Sequence, residues 1–151
     1  MSKSSISQKI KEKAEFFEQK IIEIRHQIHQ NPELSFQETK TAALAAREMK
    51  KLGFEVKKNI FGTGVTAFFK NSSDSEAKTL LIRADMDALP VQEKNELKFI
   101  SQNKGVMHAC GHDGHTAILI GTAIVLKELA QDFEGNIKFL FQPGEETTGG
   151  A

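Results

Sequence analysis

The sequence holds one cysteine, three prolines, no tryptophan and no tyrosine in 151 residues, and its 20 lysines and arginines are balanced by 20 aspartates and glutamates. One cysteine excludes an internal disulfide framework. Zero net charge, with both signs interspersed, leaves no basic field to recruit nucleic acid or anionic lipid. The longest apolar stretch, Ala117 to Leu126, contains Gly121 and Thr122 and falls well short of the roughly 20 residues a membrane helix needs. The amino terminus, MSKSSISQKIKEKAEFF, mixes lysine with glutamate and lacks the apolar segment of a secretory signal. These absences predict a cytoplasmic protein with a reduced thiol and no nucleic-acid or membrane partner. The length suits one domain, or part of a larger one, able to bury a core.

From Ser7 to Gln30 the residues Ile10, Ala14, Phe17, Ile21, Ile24 and Ile28 recur every three or four positions, which predicts a long amphipathic helix stopped by Asn31-Pro32. Ser35 and Glu38 fit a capping box for a second helix, which carries Ala42 to Leu52 and ends at Gly53. The period then shortens. Phe54 and Val56, then Val65, Ala67 and Phe69 after a Gly-Thr-Gly turn, alternate with polar residues as in a hairpin. Residues 71–78 (NSSDSEAK) read as an exposed loop. Thr79 to Ile82 form a short apolar run, compatible with a strand buried on both faces, which places Asp85 and Asp87 at its carboxyl end. Residues 115–130 read as a largely buried helix and Asn136 to Gln142 as another strand, ending in Pro143-Gly144-Glu145-Glu146. Strand, helix, strand in succession predicts an α/β sheet.

Three of the five histidines, the only cysteine and an aspartate lie within eight residues, HACGHDGH, as His108, Cys110, His112, Asp113 and His115. Cys110 and His112, with flexible Gly111 between them, can converge on one divalent ion. Sulfur and nitrogen donors suit zinc, and also cobalt, nickel or manganese when carboxylates complete the shell. The competing reading makes Cys110 a small buried residue and the histidines helix caps. Glu145 and Glu146 follow a strand, where sites in α/β sheets usually lie. On extended backbone the two side chains point opposite ways, so one can ligate metal while the other acts as a general base. A solvated acidic loop is the alternative. Asp85 and Asp87 can orient a ligating imidazole or bridge metals, or Asp87 can simply form a turn.

The segments RHQIHQNPELSFQE (25–38), GTGV (62–65), LIRADMDALPVQE (81–93), GVMHACGHDGHTA (105–117) and IKFLFQPGEETTGGA (137–151) together resemble the M20 family of metallopeptidases and amidohydrolases. The likeness is to the branch of hippurate hydrolases, N-acyl-amino-acid amidohydrolases and auxin-conjugate hydrolases. It implies an α/β, zinc-peptidase-like mixed sheet flanked by helices, with residues 1–151 as the amino-terminal part of the catalytic domain. It implies a centre of two divalent ions (Mn, Zn, Co or Ni) with Cys110, His112 and Glu146 among the ligands, Glu145 as general base and Asp87 supporting the site. Asp85 is a possible supporting residue, His29 carries no ligand role, and PELSFQE is a structural helix start. The family's chain supplies two more histidine ligands, a smaller domain that mediates homodimers and the rest of the sheet beyond Ala151, so the last strand is expected to present an unpaired edge.

The leading expectation is therefore a metal-dependent amidohydrolase that cleaves the amide of a small N-acyl amino acid with metal-activated water and a glutamate base. The second is a truncated, non-catalytic fragment of such an enzyme that binds metal weakly or not at all. A third, a Cys110 nucleophile paired with histidine, fits less well, because Cys-x-His spacing on a loop suits chelation better than base-assisted attack.

Overall fold

Apolar residues at helical spacing fold the first fifty residues into two helices. In the computed structural model, which describes residues 5–147, α1 (Ile6–Gln30) is capped by Ser5, whose side chain accepts a hydrogen bond from the Gln8 N–H at 3.2 Å. It buries Ile24, Ile28 and His29 near its carboxyl end and stops at Asn31, before Pro32. The second helix, α2 (Thr39–Lys51), buries Leu44, Ala45, Ala46 and Met49 and ends at Gly53, which takes a left-handed conformation at φ 77°. Its expected Ser35/Glu38 capping box does not form. Glu33 performs the capping instead, its carboxylate accepting from the N–H groups of Lys40 and Thr41, each at 2.9 Å. Ser35 and Glu38 are engaged elsewhere, at the site described below.

The hairpin forms as the alternation predicts, from β1 (Glu55–Ile60) and β2 (Gly64–Phe69), with Val65, Ala67 and Phe69 buried. Residues 71–78 connect it to β3 (Thr79–Asp85). From β3 the chain crosses through α3 (His112–Glu128) to β4 (Asn136–Gln142), which pairs parallel with β3. The mixed sheet runs β1-β2-β4-β3, with β2 antiparallel to both β1 and β4. Val65, Ala67, Phe69, Ala84, Ile137, Phe139 and Phe141 lie on one face of it, and with α2 and α3 they form the core. Phe54 stacks on Phe69 and Phe139 with ring centroids 4.7 and 5.6 Å apart.

Two expectations about strands change. β3 is not buried on both faces: it is an edge of the sheet, and Leu80 and Leu81 are 61% and 55% exposed. The last strand is not an edge, because β4 sits between β2 and β3, and β1 and β3 are the edge strands among the described residues. Thr148 to Ala151, the tail of the last motif, and residues 1–4 lie outside the described residues. No helix among the described residues is long and apolar enough to cross a membrane.

Candidate metal centre

Parallel pairing of β3 with β4 brings two strand ends together, and α3 begins above them. Asp85 and Asp87 leave the end of β3, Glu145 and Glu146 leave the end of β4, and His112 opens α3. Gly111 precedes it at φ 93°, a left-handed conformation that a side chain would strain. That turn lets Cys110 and His112 face the same point. Cys110, His112 and Glu146 each offer a donor atom, and the three lie within 4.8 Å of one another. His112 Nε2 lies 3.6 Å from Asp85 Oδ1, 3.7 Å from Glu146 Oε1 and 3.9 Å from Glu145 Oε2. The glutamates do not point opposite ways as extended backbone would require; they sit in a turn and both approach His112.

The neighbours of this cluster orient it. His112 Nδ1 faces the Asp87 carbonyl oxygen at 2.9 Å and Asp87 Oδ1 at 3.2 Å, so it carries the proton and Nε2 is left with its lone pair toward the cluster. Asp87 Oδ2 accepts from the Ser35 hydroxyl at 2.7 Å and the Glu146 N–H at 2.9 Å. Burial opposes ionisation of Asp87, but hydrogen bonds from the Glu146 N–H and Ser35 outweigh it and hold the carboxyl below its usual range. Glu38, fully buried, accepts from the Gly144 N–H at 2.8 Å and from the Thr63 hydroxyl, tying the glutamate turn to the hairpin tip. Gly144 itself has φ 64°, and a Cβ there would fall 2.4 Å from the Phe36 ring.

Two features fit a cation at this point. Among the described residues, Glu146 Oε1 is buried with no hydrogen-bond partner, which costs free energy unless something positive faces it. The Cys110 thiol is pushed up by its hydrogen bond with Glu146 and by the charges of Glu146, Glu145 and Asp85, an accumulation of negative charge that a divalent ion reverses. Cys110 is exposed, so the small-buried-residue reading does not hold. Asp85, His112 and His115 form a second set of donors within 4.8 Å, but His115 Nδ1 and Asp85 Oδ1 already meet at 2.7 Å.

His108 is buried, and burial lowers its pKa to about 4, so it is neutral near pH 7. The sequence assigns Ser35 and Glu38 only a capping role and His29 no ligand role, and nothing in it singles out Glu93. Ser35 and Glu38 belong to a motif taken as a mere helix start, and no local spacing links Ser35 to Asp87, 52 residues away.

A model of peptidase family M20/M25/M40 matches residues 81–151. The hippurate hydrolase of Campylobacter jejuni is 49% identical over 128 residues, 85% of this chain and 32% of that protein. The N-acyl-L-amino acid amidohydrolase of Geobacillus stearothermophilus is 47% identical over 126 residues, 83% of this chain and 34% of that protein. Over residues 81–151 the chain is similar to the M20 family. A solved M20 structure, that of a dinuclear metal-binding peptidase from Bacillus subtilis, shares the fold with a TM-score of 0.81 at 42% identity, covering 87% of this chain and 36% of that one. The chain thus spans about a third of the length of the curated relatives it matches.

Proposed function

We propose that this chain forms the amino-terminal part of the catalytic domain of a metal-dependent amidohydrolase that cleaves the amide bond of N-acyl amino acids. Cys110, His112 and Glu146 would hold a divalent cation, which supplies Lewis acidity, polarising the amide carbonyl and acidifying water. Glu145, half exposed beside the cluster, takes the water's proton on its carboxylate and returns it to the leaving nitrogen. Asp87 fixes the tautomer and orientation of His112 and, through Oδ2, holds the backbone of the glutamate turn. The proton therefore moves on a side chain anchored one residue from a ligand.

The observation that carries this reading is the convergence of the Cys110, His112 and Glu146 donors, with a Glu146 carboxylate oxygen buried and unpartnered among the described residues. The names of the relatives from Campylobacter and Geobacillus favour N-acyl amino acids, hippurate included, as the substrate class. The test is turnover of hippurate and N-acetyl amino acids by the protein that contains this chain. Glu145→Gln should lower turnover about a hundred- to ten-thousand-fold with metal content unchanged. Near-wild-type turnover by that variant would place the base elsewhere, and activity that survives chelation would rule out the metal.

A further inference from the structure

Behind the ligand turn lies a polar network that the proposed chemistry does not use. His29, in the last turn of α1, is 4% exposed, and its two ring nitrogens face two carboxylates: Nδ1 lies 2.9 Å from Asp113 Oδ2 and Nε2 lies 3.1 Å from Glu93 Oε1. Arg25 Nε, one turn earlier on α1, donates to the same Asp113 oxygen at 3.0 Å. Glu93 is held in turn by the Ser101 N–H at 2.7 Å and the Asn95 amide at 3.2 Å. Phe99 covers the edge of the His29 ring, with centroids 5.4 Å apart. Burial works against both carboxylates, yet their hydrogen bonds keep each below its usual range: for Glu93 from Ser101, His29 and Asn95, and for Asp113 from His29, Arg25 and the Gly114 backbone. With a carboxylate oxygen at each ring nitrogen, His29 bridges Glu93 and Asp113, and Arg25 adds a second hold on Asp113.

Asp113 immediately follows His112 in the first turn of α3, where a carboxylate also meets the positive end of the helix. Successive helical residues point about 100° apart, so clamping Asp113 against α1 sets the direction of His112. We infer that His29 is a positioning residue for the metal centre: clamped between Glu93 and Asp113, it locks the rotation of the first turn of α3 and so aims His112 and, through Gly111, Cys110. The inference rests on the metal reading above for its effect on affinity, and on the packing alone for its effect on the turn.

Two measurements on the 151-residue chain separate these. Amide hydrogen exchange follows the Gly114 and His115 N–H groups, which bond to the Gly111 carbonyl at 2.9 and 3.1 Å, against the amides of β2 and β4. His29→Gln should speed exchange at the two turn amides at least about tenfold and leave the sheet unchanged. Titration with Co²⁺, read by thiolate charge-transfer absorbance, should show affinity falling about 10- to 100-fold, the usual cost of losing a group that orients a ligand. Glu93→Gln, which keeps the volume and removes one clamp, should shift both readouts in the same direction. Exchange that rises equally in turn and sheet, that changes in neither, or both variants failing to fold would overturn the inference, since each makes His29 structural or idle. Unmodified chain that binds no Co²⁺ would sink the metal reading, while the exchange pattern still decides the positioning role.

Discussion

His108 shows what the neighbourhood of the site demands of a single residue. Its ring is 4% exposed, neither nitrogen has a hydrogen-bond partner among the described residues, and burial lowers its pKa from 6.5 to about 4. The unfolded chain takes up a proton here below pH 6.5, whereas the folded chain resists until about pH 4. Stability from this group is complete above 6.5 and is lost as the pH falls toward 4, at a total of about 3 kcal/mol by proton linkage. Urea unfolding in chelator-containing buffer between these limits should show that slope, and His108→Phe should remove its share of it. An unchanged slope in the variant would mean the ring is not held neutral. Asp87 acts in the same direction at lower pH: its depressed carboxyl contributes fully above its ordinary value of 3.8 and loses that contribution as the pH falls through the lower folded one.

At the scale of elements, the contact between α1 and α3 depends on a missing side chain. A Cβ on Gly121 would lie 2.6 Å from Ile21 Cδ1 and 3.0 Å from its Cγ1, so the two helices meet where glycine leaves room. Gly121→Val should destabilise the fold by about 1–3 kcal/mol, read as a lower urea midpoint, because the branched side chain must push α1 away. An unchanged midpoint would contradict this packing. Elements with one dominant period were legible in the sequence. Ile10 to Ile28 marked α1, and Val65, Ala67 and Phe69 marked β2, since one buried face dictates one spacing. The apolar run Thr79 to Ile82 was legible as a strand but not as an edge, because a run without alternation does not say which faces are covered. The site followed the same division. HACGHDGH was visible because its members are neighbours in sequence. Ser35 against Asp87, Glu38 against Gly144 and His29 between Glu93 and Asp113 arise only when distant segments pack.

For the whole molecule, the sheet offers β3 as an open edge, with Leu80, Leu81 and, on α3, Ile118 all more than half exposed. Exposed apolar strand edges promote association, and a chain without net charge has little repulsion to oppose it. Light scattering should show concentration-dependent association of the 151-residue chain at pH 7, reduced by Leu81→Lys. Equal scattering from both would mean that this edge is not the contact. The central claim is that Cys110, His112 and Glu146 hold a cation, and metal stoichiometry of the folded chain, by elemental mass spectrometry with circular dichroism on the same samples, tests it most directly. The account predicts bound divalent metal that is lost from a Cys110→Ala/His112→Ala variant still folded by circular dichroism. A folded chain without metal, or equal metal in the variant, would contradict it.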